Sequence, residues 1–335
     1  MDQAFSSTQE RFAGYVATLG RGPGKSRALT RAEAQDAFAL VLADAVHPAQ
    51  VGAFLMLLRY RGEDLDEITG LVEAARSAMR ETCGTLSAGQ VDLDWPSYGA
   101  GRTRGAPWFL LAALALSQSG VRVLMHGSNE FSSGIPVVTA LAALGRPPAT
   151  GASSVADALD RTGFAYWPIA DLSPGIDRLL GMRRLFGLRS PVNTVARLLD
   201  PGDARASVDG VFHPAYIALH LGVAERLGRR SLLVIKGGGG EAERPAAKAT
   251  AAHLWRQDGG RSELLLPALI DAPDARETDN IDQWVATWHG GEGRPGAVQI
   301  IVGSIALGLL ALEPGQDPVA ADRRAREIWA ARRPT

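Results

Sequence analysis

The feature that most constrains the fold is a change of sequence pattern near residue 84. Before it, the chain is typical of amphipathic helices joined by short connections, with almost no strand-forming run. After it, short apolar runs such as residues 121–125 and 231–236 alternate with helical stretches. Parallel strands need a crossover between them, usually a helix, so this alternation predicts a parallel sheet covered by helices. We therefore predict an α/β fold with a small N-terminal helical bundle and a larger domain with a central, mostly parallel sheet.

The predicted helical domain spans residues 1–82, joined by helices from about 172–190, and the α/β domain spans residues 83–335. Thr30 and Glu33 have the spacing of a capping box, in which each side chain accepts from an amide at the start of a helix. Pro48 is placed as the first residue of a further helix. Apolar residues at helical spacing form the expected buried stripes, including Phe38, Val41, Phe54 and Leu58.

The charge balance excludes a uniformly basic protein, because 35 Lys and Arg oppose 36 Asp and Glu for a formal net charge of −1. The single cysteine, Cys83, has no partner within the chain, which suits a reducing compartment. Neither an export signal nor an uninterrupted apolar run of about 18 residues is present, so we expect a cytoplasmic protein with no membrane segment. Histidine spacing gives no close pair for zinc, and Cys83 lacks the surroundings of a nucleophile.

Two candidate segments, residues 126–129 and 237–241, are predicted to lie at the carboxyl ends of strands, where open parallel sheets bind ligands. A third candidate segment, residues 95–105, is a turn-rich stretch before a predicted helix. Glycine amides, hydroxyls and cations in these segments suit a phosphate or another anion. The alternative is that they are surface loops whose polar side chains satisfy their own backbone. The candidate residues are Gly99, Gly101, Arg102, His126, Gly127, Ser128, Asn129, Ser132, Ser133, Gly238 and Gly239.

Two acidic residues follow the glycine run. Glu241 and Glu243 are candidate ligands for Mg²⁺, which often uses one or two carboxylates together with phosphate and water. Alternatively they lie in the first turn of a helix, where negative charge favours the dipole. Because a third acidic ligand is missing, the second interpretation is preferred. No cofactor is predicted, except Mg²⁺ if the protein is a transferase.

These segments, in this order after a helical bundle, resemble the anthranilate phosphoribosyltransferase family, also called glycosyltransferase family 3. The resemblance runs from about residue 15 to 312 and is most specific at residues 121–127, 131–133, 140–145, 183–201 and 210–214. It implies the nucleoside phosphorylase/phosphoribosyltransferase fold. It also implies that Arg183 falls where the family holds the carboxylate of anthranilate, with Asn193 in the same segment.

The departures from this family concern its substrate, phosphoribosyl pyrophosphate. The family's Gly-Thr-Gly-Gly-Asp falls near residues 97–102 without its Asp, and its Asn-x-Ser-Thr falls near 107–110 without hydroxyl or amide side chains. Its Lys-His-Gly-Asn-Arg becomes residues 125–129 without either cation, and its metal-binding Asp-Glu pair is replaced around 240–243. Each lost charge-assisted contact is worth about 1.5–3 kcal/mol, so anthranilate phosphoribosyltransferase activity is not expected.

Residues 91–98, 107–112 and 236–241 look like a divergent branch of the family, one that lacks the transferase activity and binds nucleic acid. This resemblance implies a homodimer through the N-terminal helices, although packing within one chain would bury the same apolar stripes. Phosphate contacts would give affinity without sequence readout. The candidate basic residues are Arg21, Lys25, Arg27, Arg31, Arg102, Arg104 and Lys236.

Two alternatives remain open from the sequence. The basic segments could be ordinary solvated surface. The chain could also be a Mg²⁺-dependent glycosyl or phosphoribosyl transferase for an unidentified acceptor, with His126, Ser132, Ser133, Arg183 and Asn193 lining its cleft.

Overall fold

The computed structural model describes residues 6–22, 24–99, 105–128, 130, 134–271, 280–291 and 296–334. Contacts divide the chain into a helical unit, Met1–Gly84 with Ser173–Leu199, and an α/β unit, Thr85–Leu172 with Asp200–Thr335. The helices are α1 (Ser7–Gly20), α2 (Arg31–Leu42), α3 (Pro48–Arg61), α4 (Leu65–Cys83), α5 (Trp108–Gln118), α6 (Val137–Ala143), α7 (Gly151–Thr162), α8 (Ile169–Leu172), α9 (Pro174–Gly181), α10 (Arg183–Phe186), α11 (Val192–Arg197), α12 (Ala215–Arg226), α13 (Ile281–Trp288), α14 (Ala297–Leu312) and α15 (Pro318–Ala331). The strands are β1 (Leu93–Ser97), β2 (Val123–Gly127), β3 (Phe164–Pro168), β4 (Ala206–Val211), β5 (Ser231–Lys236), β6 (Thr250–Arg256) and β7 (Gly260–Leu266).

The helical unit buries its apolar stripes within one chain. Phe38 and Val41 on α2 and Phe54 and Leu58 on α3 are each at most 1% exposed. Burial of this extent removes the apolar side chains from water without a second chain. The four residues therefore do not supply a dimer surface, and the homodimer stays a prediction.

The start of α2 shows how local sequence fixes a helix end. Thr30 and Glu33 form the predicted capping box, with the Glu33 amide donating to Thr30 Oγ1 at 3.3 Å and the Thr30 amide donating to Glu33 Oε2 at 2.9 Å. Arg27 adds two hydrogen bonds to the Glu33 carboxylate, at 2.6 and 2.8 Å. Hydrogen bonds from Arg27, stronger than the opposing effect of burial, lower the pKa of Glu33 to about 2.

The α/β unit is built on a seven-stranded sheet, within the described residues, in the order β3-β2-β1-β4-β5-β6-β7. The first five strands are parallel, and β6 and β7 add an antiparallel edge. The prediction of a helical bundle followed by a mostly parallel, helix-covered sheet is confirmed. Apolar residues of the sheet and of α5 and α14 form one large buried core.

The two most apolar helices, α5 and α14, lie in this core. All but one residue of α5 are buried, as are most residues of α14. Among the described residues, no helix has the length and apolar character needed to cross a membrane.

A buried ion pair connects the segment after β5 to the C-terminal helix. Arg244 is fully buried and donates to Asp322 of α15 at 2.6 Å and to the carbonyl of Pro267 at 2.6 Å. The Arg244 amide donates to Ser304 Oγ of α14 at 3.1 Å. Arg244, which follows the glycine run, is thus fixed to three separate parts of the α/β unit.

Removing one partner of this pair leaves a buried charge without compensation. We expect Asp322→Ala to lower the free energy of unfolding, measured by urea titration, by about 3–5 kcal/mol. Glu313→Ala is the matched control, because it breaks the exposed pair with Arg324 and should change stability by no more than about 1 kcal/mol. Equal effects of the two substitutions would contradict the role given to Asp322.

The Glu33 carboxylate predicts a pH dependence of stability. Its folded-state pKa of about 2 lies below its ordinary value of 4.5, so its contribution is present above pH 4.5 and is lost as the pH falls towards 2. Thermal unfolding should show the wild type more stable than Glu33→Gln near neutral pH, with the difference disappearing near pH 2. Arg27→Ala should reproduce the loss and add little to Glu33→Gln. A difference that does not change with pH would disprove this account.

Candidate functional site

The carboxyl ends of the central strands bring the predicted segments together. Ser97 of β1 is in register with Gly127 of β2, and the Ser128 amide donates to the Ser97 carbonyl at 3.1 Å. Val211 of β4 is in register with Lys236 of β5, directly before the glycine run. Gly99, Gly127, Ser128, Gly238 and Gly239 all belong to this edge of the sheet. Gly101, Arg102, Arg104, Asn129, Ser132 and Ser133 lie outside the described residues.

His126 lies in a buried polar network rather than on the surface of a cleft. Its Nδ1 is hydrogen-bonded to the Tyr98 hydroxyl at 2.8 Å, and its Nε2 lies 3.3 Å from Asp94 Oδ1. His126 and Asp94 are fully buried and Tyr98 is 5% exposed. The three side chains tie the ends of β1 and β2 together at the start of the glycine-containing loop.

Sequence reasoning selected His126 but missed Tyr98 and Asp94. The signal for them is Asp94 itself, an acidic residue inside β1, whose residues are all buried. A buried carboxylate needs a polar partner. A similar pair, Asp209 on β4 and His220 on α12, is buried with 2.5 Å between carboxylate and imidazole.

The expected helix turn at Glu241 and Glu243 is wrong. A 3-10 turn spans Gly238–Gly240, and Glu241 follows it in an extended conformation with φ −94° and ψ 158°. No helix begins there, because the Glu241 and Glu243 side chains turn inward and satisfy distant backbone amides instead of a local first turn.

Glu241 and Glu243 each accept a hydrogen bond from a backbone amide that is distant in sequence. The Gly99 amide donates to Glu241 Oε1, and the Phe109 amide, in the first turn of α5, donates to Glu243 Oε2 at 3.1 Å. Glu241 is 1% exposed and Glu243 is 8% exposed. Burial, and then the charge of Glu241, raise the pKa of Tyr166 on β3.

The glycines here approach the chain's own backbone. A Cβ at Gly237 would lie 1.6 Å from the Glu241 carbonyl oxygen, and one at Gly210 would lie 2.0 Å from the Glu241 carbonyl carbon. Both positions therefore require glycine. Glycine at these two positions lets two strand ends pack against Glu241, and ligand binding by Gly238 and Gly239 stays a prediction.

This geometry gives little support to the predicted Mg²⁺ site at Glu241 and Glu243. Within the described ranges, no group of three His, Cys, Asp or Glu side chains is arranged to hold a metal ion. Glu241 and Glu243 each accept a backbone amide at one carboxylate oxygen, and their role as Mg²⁺ ligands stays a prediction.

The predicted basic residues of the helical unit fall into two groups. Arg27 pairs with Glu33, and Arg31 forms a two-point ion pair with Glu73 of α4. Arg21 and Lys25 are exposed. Among the described residues, Arg21 and Lys25 are exposed without a recorded ion pair, whereas Arg27 and Arg31 are paired with glutamates.

The helical unit also carries an exposed aromatic ring. Tyr60 near the end of α3 is 91% exposed. The next residue, Arg61, donates from Nη1 to Ser26 Oγ at 2.9 Å, which holds α3 against the segment that carries Arg21 and Lys25. Sequence reasoning missed Tyr60, although a Tyr between two arginines near a helix end was a visible signal.

The remaining predicted residues have separate positions. Arg183 begins α10 and is partly buried, and Asn193 in α11 donates to the Ser190 carbonyl at 3.2 Å. Both belong to the helical unit. Lys236 ends β5 in the α/β unit and is exposed.

Comparison with known proteins agrees with this architecture. The curated anthranilate phosphoribosyltransferase of Moorella thermoacetica is 32% identical over 212 residues, covering 63% of this chain and 62% of that protein. The chain therefore matches less than two thirds of that relative's length. The corresponding protein of Beijerinckia indica is 28% identical over 271 residues, covering 81% and 77%.

Solved structures show the same fold. Anthranilate phosphoribosyltransferase from Thermus thermophilus superposes with a TM-score of 0.76 at 22% identity, over 96% of this chain and 94% of that one. The Saccharomyces cerevisiae enzyme in complex with PRPP and Mg gives a TM-score of 0.71 at 15% identity, with the same coverage of both chains.

Two family models match consecutive parts of the sequence. Residues 14–79 match the helical bundle domain of the glycosyl transferase family, and residues 109–269 match its a/b domain. Together the matches cover more than half of the chain and follow the order of the two units. The chain belongs to this glycosyl transferase family, glycosyltransferase family 3.

Proposed function

We propose that this protein binds single-stranded nucleic acid through phosphate contacts and lacks anthranilate phosphoribosyltransferase activity. The observation that carries the proposal is a set of exposed residues of the helical unit, Arg21, Lys25, Tyr60 and Arg61, in which Arg61 is hydrogen-bonded to Ser26 of the segment that carries Arg21 and Lys25. We call it the Tyr60 surface.

The charges of the Tyr60 surface suit a phosphate chain. Arg21 and Lys25 are exposed, and Arg61 lies against the same segment through its contacts with Ser26 Oγ at 2.9 Å and the Leu19 carbonyl at 3.5 Å. Cations on one short segment can contact neighbouring phosphates and release their counterions. This gives affinity that depends on salt and is independent of base sequence.

Tyr60 adds an aromatic ring to the charged side chains of this surface. A single exposed aromatic side chain is ordinary, but one flanked by cations has the composition of a stacking platform for unpaired bases. Base stacking on such a ring contributes about 1–3 kcal/mol per base and tolerates any base. The Tyr60 surface therefore favours single strands, whose bases are free to stack.

The α/β unit supports the second part of the proposal. The backbone amides of Gly99 and Phe109 lie in segments that the family resemblance assigns to phosphoribosyl pyrophosphate. They donate hydrogen bonds to Glu241 and Glu243 of the chain itself. An anionic substrate would have to compete with these buried carboxylates.

The direct test is titration of a fluorescent single-stranded oligonucleotide at several salt concentrations. Lys25→Ala should weaken binding and reduce the slope of log K against log salt by about 0.7, the value for one phosphate contact on a single strand. Tyr60→Ala should weaken binding by about 1–3 kcal/mol and leave the slope unchanged, because stacking releases no counterion.

Two controls separate these effects from general ones. Tyr60→Phe keeps the ring and should bind like the wild type. Arg323→Ala removes an exposed cation from α15 in the other unit and should change neither affinity nor slope. Absence of binding at low salt, or equal losses for Lys25→Ala and Arg323→Ala, would contradict the proposal.

A second candidate function is Mg²⁺-dependent pentosyl transfer. One observation favours it: the curated relatives quoted above are anthranilate phosphoribosyltransferases, and Arg183 is present in the matching segment. Its mechanism would be positioning of the two substrates and stabilisation of a pyrophosphate leaving group.

Thermal unfolding with and without phosphoribosyl pyrophosphate and Mg²⁺ distinguishes the two functions. A ligand at 100 times its Kd stabilises a protein by about 2.7 kcal/mol. We expect no shift of the Tm for this chain. A saturable rise in Tm would favour the transferase instead.

A further inference from the structure

Two buried glutamates connect three segments of the α/β unit at the carboxyl edge of the sheet. Glu241 accepts from the Gly99 amide, and Glu243 accepts from the Phe109 amide at 3.1 Å. Both donors lie in segments that the family resemblance assigns to phosphoribosyl pyrophosphate. Both acceptors lie in a third segment, more than 130 residues away in the chain.

The first turn of α5 has no acceptor of its own. Its N-cap is Pro107, which makes no side-chain hydrogen bond, and its first turn contains no acidic residue. The amides at a helix start need acceptors from outside the helix and favour negative charge. Glu243 supplies both the acceptor and the charge, so the position that would attract an anion already holds one.

The two carboxylates are fixed in place by the surrounding backbone. The close approach of Gly210 and Gly237 to Glu241 leaves its backbone little freedom, and Arg244, paired with Asp322, anchors the residue after Glu243. The backbone that carries the two glutamates is therefore held in place, with each carboxylate hydrogen-bonded to a backbone amide.

We propose that Glu241 and Glu243 are resident anions, which occupy the acceptor positions of a phosphate group and so exclude pyrophosphate-bearing ligands from the α/β unit. This inference rests on the part of the proposed function that denies transferase activity. It is independent of nucleic-acid binding by the Tyr60 surface.

The test is calorimetric titration of inorganic pyrophosphate into the full chain. The wild type should give no saturable binding. Glu243→Ala, which empties the position facing the Phe109 amide, should bind pyrophosphate with a measurable Kd, and its Tm should rise when pyrophosphate is added. Glu243→Gln keeps an oxygen acceptor of the same size and should remain unable to bind.

Glu327→Ala is the matched control, because it removes an exposed carboxylate of α15 and the same unit of charge. It should behave like the wild type. If Glu243→Ala does not fold in plain buffer, pyrophosphate present during refolding should restore it; failure of that rescue would overturn the proposal. Binding by the wild type as tight as by Glu243→Ala would overturn it as well.

The same variants separate this inference from the proposed function. All of them should bind the single-stranded oligonucleotide like the wild type, since the Tyr60 surface is unchanged. Pyrophosphate binding by the wild type would remove the support for lost transferase activity. It would not change the expectation that Tyr60→Ala loses oligonucleotide binding.

Discussion

The α/β unit depends on the contacts between two buried carboxylates and the backbone amides of Gly99 and Phe109. A buried charge is tolerated only when hydrogen bonds replace its hydration, so these contacts dictate how the loop after β1, the start of α5 and the glycine run after β5 fit together. Close backbone packing at Gly210 and Gly237 and the Arg244–Asp322 pair follow from the same requirement. Together they place two buried carboxylates at the edge of the sheet where parallel sheets usually bind ligands.

Much of the fold was predictable because its signals are local. The capping box of Thr30 and Glu33, Pro48 at the start of α3 and the strand at residues 231–236 each depend on a few neighbouring residues, and all three are present in the structure. Hydrophobic periodicity then separated the helical bundle from the sheet, because the two periods differ.

The site was less predictable because its partners are distant in sequence. Residue types at 241 and 243 favoured a helix start over a metal site, and only the folded chain brings Glu241 next to Gly99. Likewise, Arg31 counts as a free cation in the sequence until α4 places Glu73 beside it. Basic residues in a sequence are therefore an upper limit on the charge that a surface presents.

The buried position of Glu243 has an evolutionary consequence. On the proposal above, restoring a cation or hydroxyl elsewhere in the chain leaves the Glu243 carboxylate on the Phe109 amide, so such a change alone does not recover an anion site. Removing the carboxylate first exposes the start of α5 and weakens the fold before any ligand can replace it. On this proposal, any route back to an anion site has to pass through a change at residue 243 that costs stability.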